Sequence, residues 1–325
     1  MLKTQSYEVA TNITYEYIYV KASGSGDDDD NNARPTLLFL HGFPSSFHCW
    51  RHQIEHFSQQ GYGCLAPNMM GYGKTYSPLN TDEYRSKSMV EHLVALLNHL
   101  HLGKVFVIGH DWGTRPGSRF VLYHPQQTLG LVLISVGYTP PGIIDLDQAL
   151  ESSKQAFGYE TLGYWKFFIS DDCATIIENN LESFLDLAFT SDPVQWKTDF
   201  APIGKAREWL TNGRRTARAS YMTEDDYKIF RQYIAEGMQP KLNWYKAAIA
   251  NVDGDDEMNV DPTIKRPVLF IGGRKDYVSL ISAYSGQKQY IADVETIELE
   301  TSHWVMEESP EEVNRAIDEW LKRIV

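Results

Sequence analysis

An aspartate flanked by small residues is the side chain of this sequence best placed to act as a nucleophile. Asp111 lies in G-H-D-W-G (residues 109–113), directly after the apolar run 105–108, which predicts a buried strand. Such a strand-to-helix turn usually exposes a serine. A carboxylate in its place attacks saturated carbon and leaves an alkyl ester, whereas serine attacks acyl carbon. The expected substrates carry a displaceable group on sp³ carbon, as epoxides and alkyl halides do.

Two further residues could complete the chemistry that a covalent ester requires. Asp276 follows a predicted strand at 267–271, and His303 follows one at 294–299. The carboxyl ends of parallel strands meet at one edge of a sheet, so both side chains are expected to approach Asp111. A histidine oriented by a carboxylate can activate water to hydrolyse the ester. The glycine turn at 41–44 and the N–H of Trp112 could hold the resulting oxyanion.

The elements that must position these residues alternate between strands and helices. Helical spacing of leucines predicts a helix over 82–102, ended by Gly103, and a last helix begins at Pro310. We therefore predict an α/β fold with a mostly parallel sheet and helices on both faces. The predicted strands are 13–20, 36–40, 105–108, 131–134, 267–271 and 294–299.

The strand pattern stops for about 120 residues in the middle of the chain. Residues 143–262 contain amphipathic helices, one opened by a capping box at Thr223, and no convincing buried strand. The expected organisation is a core domain of residues 1–142 and 263–325, interrupted by a helical lid of residues 143–262. The insert is rich in aromatic residues, which predicts an apolar pocket.

Composition excludes several classes of partner. A net charge of −13 argues against nucleic acid and anionic membranes, and no apolar run approaches the length of a membrane span. The three cysteines, an odd and widely spaced set, favour free thiols in a reducing compartment. We expect a cytoplasmic monomer or homodimer without cofactor or metal. The acidic run at 27–30 lacks the spacing of a calcium loop and predicts a solvated loop.

On these motifs the chain resembles the soluble epoxide hydrolases of the α/β-hydrolase superfamily, from about residue 11 onward. The resemblance rests on H-G-F-P (41–44), G-Y-G-K-T (71–75), G-H-D-W-G (109–113), Asp276 and His303-Trp304. Such enzymes also use two lid tyrosines. These match Tyr164 and Tyr245, with Tyr159 as a less favoured substitute for the first.

The resemblance implies an epoxide and water as substrates and a vicinal diol as product. Asp111 would open the ring while the two tyrosines stabilise the departing oxygen, and His303, oriented by Asp276, would activate water. The N–H groups of Phe43 and Trp112 would hold the oxyanion. The residues expected to border an apolar substrate are Trp112, Trp165, His41 and Pro44, although a buried structural His41 is also compatible with the turn.

Two rival functions remain open. Dehalogenases use the same aspartate, and the haloalkane enzymes often carry a tryptophan after it, so Trp112 does not discriminate. The haloacetate enzymes use an arginine clamp, part of which matches Arg115, but they have arginine in place of Trp112 and an acid after the strand matching 131–134. A helix-surface or structural pair is the favoured interpretation of Arg115 and Arg119. A catalytically inactive ligand receptor of the same fold is the third candidate.

Overall fold

The computed structural model describes residues 3–23 and 34–324. The predicted acidic loop at 27–30 lies outside the described residues. The strands are β1 (Thr4–Ala10), β2 (Ile13–Val20), β3 (Thr36–Leu40), β4 (Gly63–Pro67), β5 (Val105–His110), β6 (Thr128–Ile134), β7 (Val268–Gly273) and β8 (Val294–Leu299). They form one sheet in the order β1-β2-β4-β3-β5-β6-β7-β8. The β1–β2 and β2–β4 pairs are antiparallel and the other five are parallel.

Helices cover both faces of this sheet, as predicted. The α-helices are α1 (Arg51–Gln59), α2 (Ser86–His99), α3 (Thr114–Tyr123), α4 (Leu146–Phe157), α5 (Trp165–Phe168), α6 (Cys173–Asn179), α7 (Leu181–Ala188), α8 (Lys205–Thr211), α9 (Glu224–Ala235), α10 (Gln239–Ile249), α11 (Gly254–Glu257), α12 (Val305–Glu308) and α13 (Pro310–Ile324). Gly130 of β6 faces Trp320 of α13, whereas the next residue, Leu131, faces α3 at Gly117. Successive strand residues point to opposite faces, so these two helices lie on opposite sides of the sheet.

Two strands escaped prediction for reasons visible in their residues. β1 alternates exposed and half-buried positions at the edge of the sheet and has few apolar side chains. β4 is only five residues long and contains a glycine and a proline, which are poor strand signals. The predicted helix 82–102 is shorter, because α2 ends at His99 and His101, rather than Gly103, adopts a positive φ of 54°.

The insert and the cysteines match their predicted character. Within residues 143–262 the described elements are helical apart from one isolated bridge between Thr190 and Arg218. The Thr223 hydroxyl accepts the N–H of Asp226 and so caps α9, as its sequence indicated. All three cysteines are buried and free. In the described parts of the chain, no helix has both the length and the apolarity to cross a bilayer.

The parallel strands end together at one edge of the sheet. Register pairs Leu40 of β3 with Gly109 of β5, and His110 of β5 with Ile134 of β6. Beyond β6 in the same sheet, Gly273 of β7 pairs with Leu299 of β8. The turns that carry the candidate catalytic residues consequently all begin at the same edge.

Candidate active site

Asp111 occupies a strained turn between β5 and α3. Its φ of 51° lies in the left-handed region, which is unfavourable for an aspartate. Backbone strain of this kind is often found at functional sites. The flanking glycines are required by close packing. A Cβ on Gly109 would lie 2.6 Å from the carbonyl oxygen of Gly113, and one on Gly113 would lie 2.1 Å from that of Leu40. The turn therefore holds the carboxylate outward only because both neighbours lack side chains.

A backbone donor holds one oxygen of this carboxylate. The N–H of Phe43 donates to Oδ1 of Asp111 at 2.8 Å. A Cβ on Gly42 would lie 2.3 Å from the same oxygen and 2.7 Å from the backbone nitrogen of Trp112, so only a glycine fits beside these two groups. Burial raises the pKa of Asp111, but hydrogen bonding and the charge of His303, with the Phe43 N–H, hold it below its usual value.

His41 supports this turn from beneath. Its Nε2 accepts the N–H of Met69 at 2.9 Å, and its Nδ1 lies 3.0 Å from the carbonyl oxygen of Gly42. The ring is therefore a neutral tautomer with its proton on Nδ1, and burial lowers its pKa to about 4. His41 lines neither of the cavities next to Asp111. This corrects the expectation that it borders substrate, because both ring nitrogens are already bonded within the turn.

The predicted acid and histidine meet at Asp111. Nδ1 of His303 lies 2.7 Å from Oδ2 of Asp276, and its Nε2 lies 3.5 Å from Oδ2 of Asp111. The second oxygen of Asp276 accepts the N–H groups of Val278 and Ser279, each at 3.0 Å. Burial lowers the pKa of His303, but the two carboxylates outweigh this and raise it to about 10.

The main chain of His303 is also held, by residues that the sequence did not reveal. The Ser135 hydroxyl donates to the His303 carbonyl oxygen at 2.5 Å, and Nε2 of His110 lies 3.0 Å from the same oxygen. Ser135 itself adopts a positive φ of 65°. The position of Ser135 directly after β6 was the available signal, but a serine in a loop is too common to indicate this contact.

Both predicted lid tyrosines lie beside Asp111. The rings of Tyr164 and Tyr245 are 6.1 Å apart, and both side chains are buried. Burial, followed by the nearby negative charges, raises the pKa of each phenol well above its usual value, so both remain protonated donors. The Tyr159 hydroxyl donates instead to the carbonyl oxygen of Tyr277 and lines neither neighbouring cavity.

Two cavities open beside the carboxylate. The larger, of about 270 Å³, is bordered by Trp112 and Trp165. The smaller, of about 20 Å³, is bordered by Pro44 and Tyr245. Lining residues that sequence reasoning did not identify are Leu162, Val278 and Tyr284 for the larger cavity and Phe184 and Phe200 for the smaller. These apolar residues resemble ordinary core residues in sequence, and no signal distinguishes them.

Comparison with known proteins identifies the family of this chain. The family model described as "alpha/beta hydrolase fold" matches residues 35–310. This chain belongs to the α/β-hydrolase family. It is 30% identical over 313 residues to "Epoxide hydrolase 3" of Siraitia grosvenorii, covering 89% of this chain and 92% of that protein. It is 27% identical over 318 residues to "Bifunctional epoxide hydrolase 2" of Rattus norvegicus, covering 96% of this chain but only 56% of the rat protein.

A solved structure gives the same fold for this α/β hydrolase. The crystal structure of Epoxide Hydrolase A from Mycobacterium thermoresistibile has a TM-score of 0.82 and 23% identity, over 99% of this chain and 98% of that one. The predicted fold class and the predicted resemblance are both confirmed.

The two arginines that follow Asp111 form ion pairs in this α/β hydrolase, and Arg119 is fully buried whereas Arg115 is partly buried. Nη2 of Arg115 lies 2.8 Å from Oδ2 of Asp253, and Nε of Arg119 lies 2.6 Å from Oε1 of Glu257. Arg119 also donates to the carbonyl oxygen of Thr139 at 2.7 Å. Both pairs join α3 to the end of the insert, which supports the structural interpretation. Within residues 3–23 and 34–324, no group of three His, Cys, Asp or Glu side chains could hold a metal ion.

Proposed function

We propose that this α/β hydrolase converts epoxides to vicinal diols through a covalent ester on Asp111. One observation supports the proposal most strongly: a carboxylate, two protonated phenols and a histidine that is bonded to a second carboxylate border a common apolar site. The relatives that are named epoxide hydrolases support the same substrate class. Residues 143–262 act in this proposal as a lid that supplies the two tyrosines.

Ring opening uses the oxygen of Asp111 that is not held by the backbone. Oδ1 already accepts the Phe43 N–H, so Oδ2 attacks a ring carbon. A bond forms between Oδ2 and that carbon as its bond to the ring oxygen breaks. The departing alkoxide takes a proton from Tyr164 or Tyr245, which donate without placing a positive charge beside the nucleophile. The product is a hydroxyalkyl ester of Asp111.

Ester formation prepares His303 to act as a base. Esterification removes the negative charge of Asp111, one of the two carboxylates that raise the pKa of His303. The pKa of His303 then falls, and the proton that the ring carries passes to the phenolate left by ring opening. The neutral ring, still oriented by Asp276, accepts a proton from water. The hydroxide attacks Cγ of Asp111, and the negative charge develops on Oδ1, where the N–H groups of Phe43 and Trp112 stabilise it. Collapse of this intermediate expels the diol oxygen, which takes the proton of the hydroxyl group on Cγ, so that the carboxylate of Asp111 is restored.

The substrate contacts follow from the two cavities. Trp112 and Trp165 border the larger one and Pro44 the smaller, so these three residues are proposed to contact an apolar epoxide. A haloacetate substrate is disfavoured. The guanidinium of Arg115, which would otherwise bind the carboxylate of such a substrate, is already bonded to Asp253.

A panel assay tests the proposal directly. Purified protein is incubated with styrene oxide and aliphatic epoxides, and diol is quantified by chromatography. 1-Chlorobutane and fluoroacetate serve as controls with halide release as the readout. We expect diol formation that is lost in Asp111→Ala. Halide release without diol would assign a dehalogenase, and saturable epoxide binding without turnover would assign a receptor; either result overturns the proposal.

A further inference from the structure

The two cavities beside Asp111 differ greatly in size although they share part of their lining. Asp111, Tyr164, Val278 and His303 border both. From this common point, about 270 Å³ of space extends on one side and about 20 Å³ on the other. The smaller volume is close to that of a single water molecule.

The wall of the smaller cavity consists of interlocked aromatic rings. Phe200 stacks on Tyr164 with ring centroids 4.4 Å apart and contacts Trp196 at 5.1 Å. Phe184 contacts Phe43 at 6.2 Å. The indole N–H of Trp196 donates to the Leu187 carbonyl oxygen at 2.7 Å, which fixes that ring. Packed rings held in this way cannot move apart without losing contacts on both sides. The smaller cavity is therefore a fixed limit on the substrate.

The larger cavity has a different boundary. Its apolar part is formed by Leu162, Trp165, Ile144 and Ala149, all four of which are only partly buried. It extends past Trp112 toward Arg115, whose Nε and Nη2 are bonded to Asp253. Of the two cavities, this one has the room for a long or bulky apolar group.

The difference in size constrains which epoxides can react. When the ring oxygen faces the two tyrosines and one ring carbon faces Asp111, the substituents of a trans epoxide point away from each other. One substituent then enters the larger cavity and the other must enter the smaller. We infer that the substrates are terminal epoxides with a single long or bulky apolar substituent, placed on the Trp112–Leu162 side. This inference rests on the proposed epoxide hydrolysis.

Two isomeric epoxides test the inference at constant composition. 1,2-Epoxyoctane carries one hexyl group, whereas trans-4,5-epoxyoctane carries a propyl group on each ring carbon. We expect kcat/KM for the terminal isomer to exceed that for the internal one by about 10-fold or more, since even one methylene can change specificity by that factor. Equal values for the two isomers would overturn the inference and leave the proposed function intact. Diol from neither isomer, nor from styrene oxide, would overturn both.

Two substitutions then assign the discrimination to the cavities. Phe184→Ala enlarges the small side and should raise kcat/KM for the internal isomer relative to the terminal one. Ala149→Phe fills the large side and should lower kcat/KM for 1,2-epoxyoctane more than for propylene oxide. A folded Phe184→Ala protein with an unchanged isomer ratio would contradict the inference. If Phe184→Ala does not fold, Ala149→Phe alone decides: equal losses for 1,2-epoxyoctane and propylene oxide would contradict it.

Discussion

Both carboxylate oxygens of Asp276 are held by contacts, and the contact at Oδ2 fixes the imidazole of His303. Oδ2 lies 2.7 Å from Nδ1 of the imidazole, while Oδ1 accepts two backbone N–H groups at 3.0 Å. Rotation of the carboxylate would leave the buried N–H donors unsatisfied, which is costly. The imidazole is held in place in turn, with Nε2 directed at Asp111.

The first prediction concerns stability against pH. The pKa of His303 is raised to about 10 in the folded protein, against about 6.5 for an unperturbed histidine. Its contribution to stability is therefore complete below about pH 6.5 and is lost as pH rises through about 10. Asp276→Asn removes the main cause of the raised pKa, and each unit removed corresponds to about 1.4 kcal/mol.

Thermal denaturation from pH 6 to pH 10.5 measures this effect. The wild type should lose more of its Tm across the range than Asp276→Asn, because the variant has less of this contribution to lose. The gap between the two proteins should be widest at the acid end. Curves that run parallel over the whole range would show that Asp276 does not control the titration of His303. Other groups that titrate near pH 10 are common to both proteins and cancel in the comparison.

The second prediction concerns the covalent intermediate. His303→Gln removes the base that activates water but leaves Asp111 free to open the ring, so the ester should accumulate. Intact mass spectrometry after addition of styrene oxide should show a mass increase of one substrate molecule, located by peptide analysis at Asp111. Asp111→Ala should show no adduct. Rapid multiple turnover by His303→Gln would contradict the role assigned to the imidazole.

The third prediction concerns the two phenols. Tyr164→Phe and Tyr245→Phe should each slow ring opening, because each removes one donor to the departing oxygen, and the double variant should be slower by about 10²-fold or more. Tyr159→Phe is the matched control, since its hydroxyl is bonded to the Tyr277 carbonyl oxygen away from the cavities. Single-turnover kinetics with styrene oxide separate ring opening from ester hydrolysis. A loss in Tyr159→Phe equal to that in Tyr164→Phe would contradict the assignment.

The positions of the predicted site residues in the structure show which of them a sequence can reveal. Asp111, Asp276 and His303 could be predicted to meet because each follows a parallel strand, and such strands end at one edge. The place of Tyr164 beside Asp111 required a resemblance, because many tyrosines of the chain could occupy a lid. The prediction that His41 borders substrate was wrong, because the turn motif does not indicate where its ring points. The orientation of the ring is set by its contacts with the Met69 N–H and the Gly42 carbonyl oxygen.

The cavity walls could not be predicted, and the reason is physical. Phe184 and Phe200 come from separate segments of the insert, and their apolar side chains have the same periodicity whether they pack a core or border a ligand. Only the tertiary arrangement decides which rings remain uncovered. The size difference between the two cavities is for that reason a property of the structure and cannot be read from a motif.

The last prediction separates a structural from a ligand-binding role for Arg115. The guanidinium and the Asp253 carboxylate are 2.8 Å apart, with side chains 14% and 7% exposed. Arg115→Leu leaves a buried carboxylate without its partner and should lower the free energy of unfolding in urea by about 3–5 kcal/mol. Arg115→Leu combined with Asp253→Asn removes that charge but keeps an oxygen for the Ser86 N–H, so most of the loss should be recovered. A structural ion pair requires this recovery. Equal destabilisation of the single and double variants, together with fluoroacetate turnover in the wild type only, would instead assign Arg115 to substrate binding.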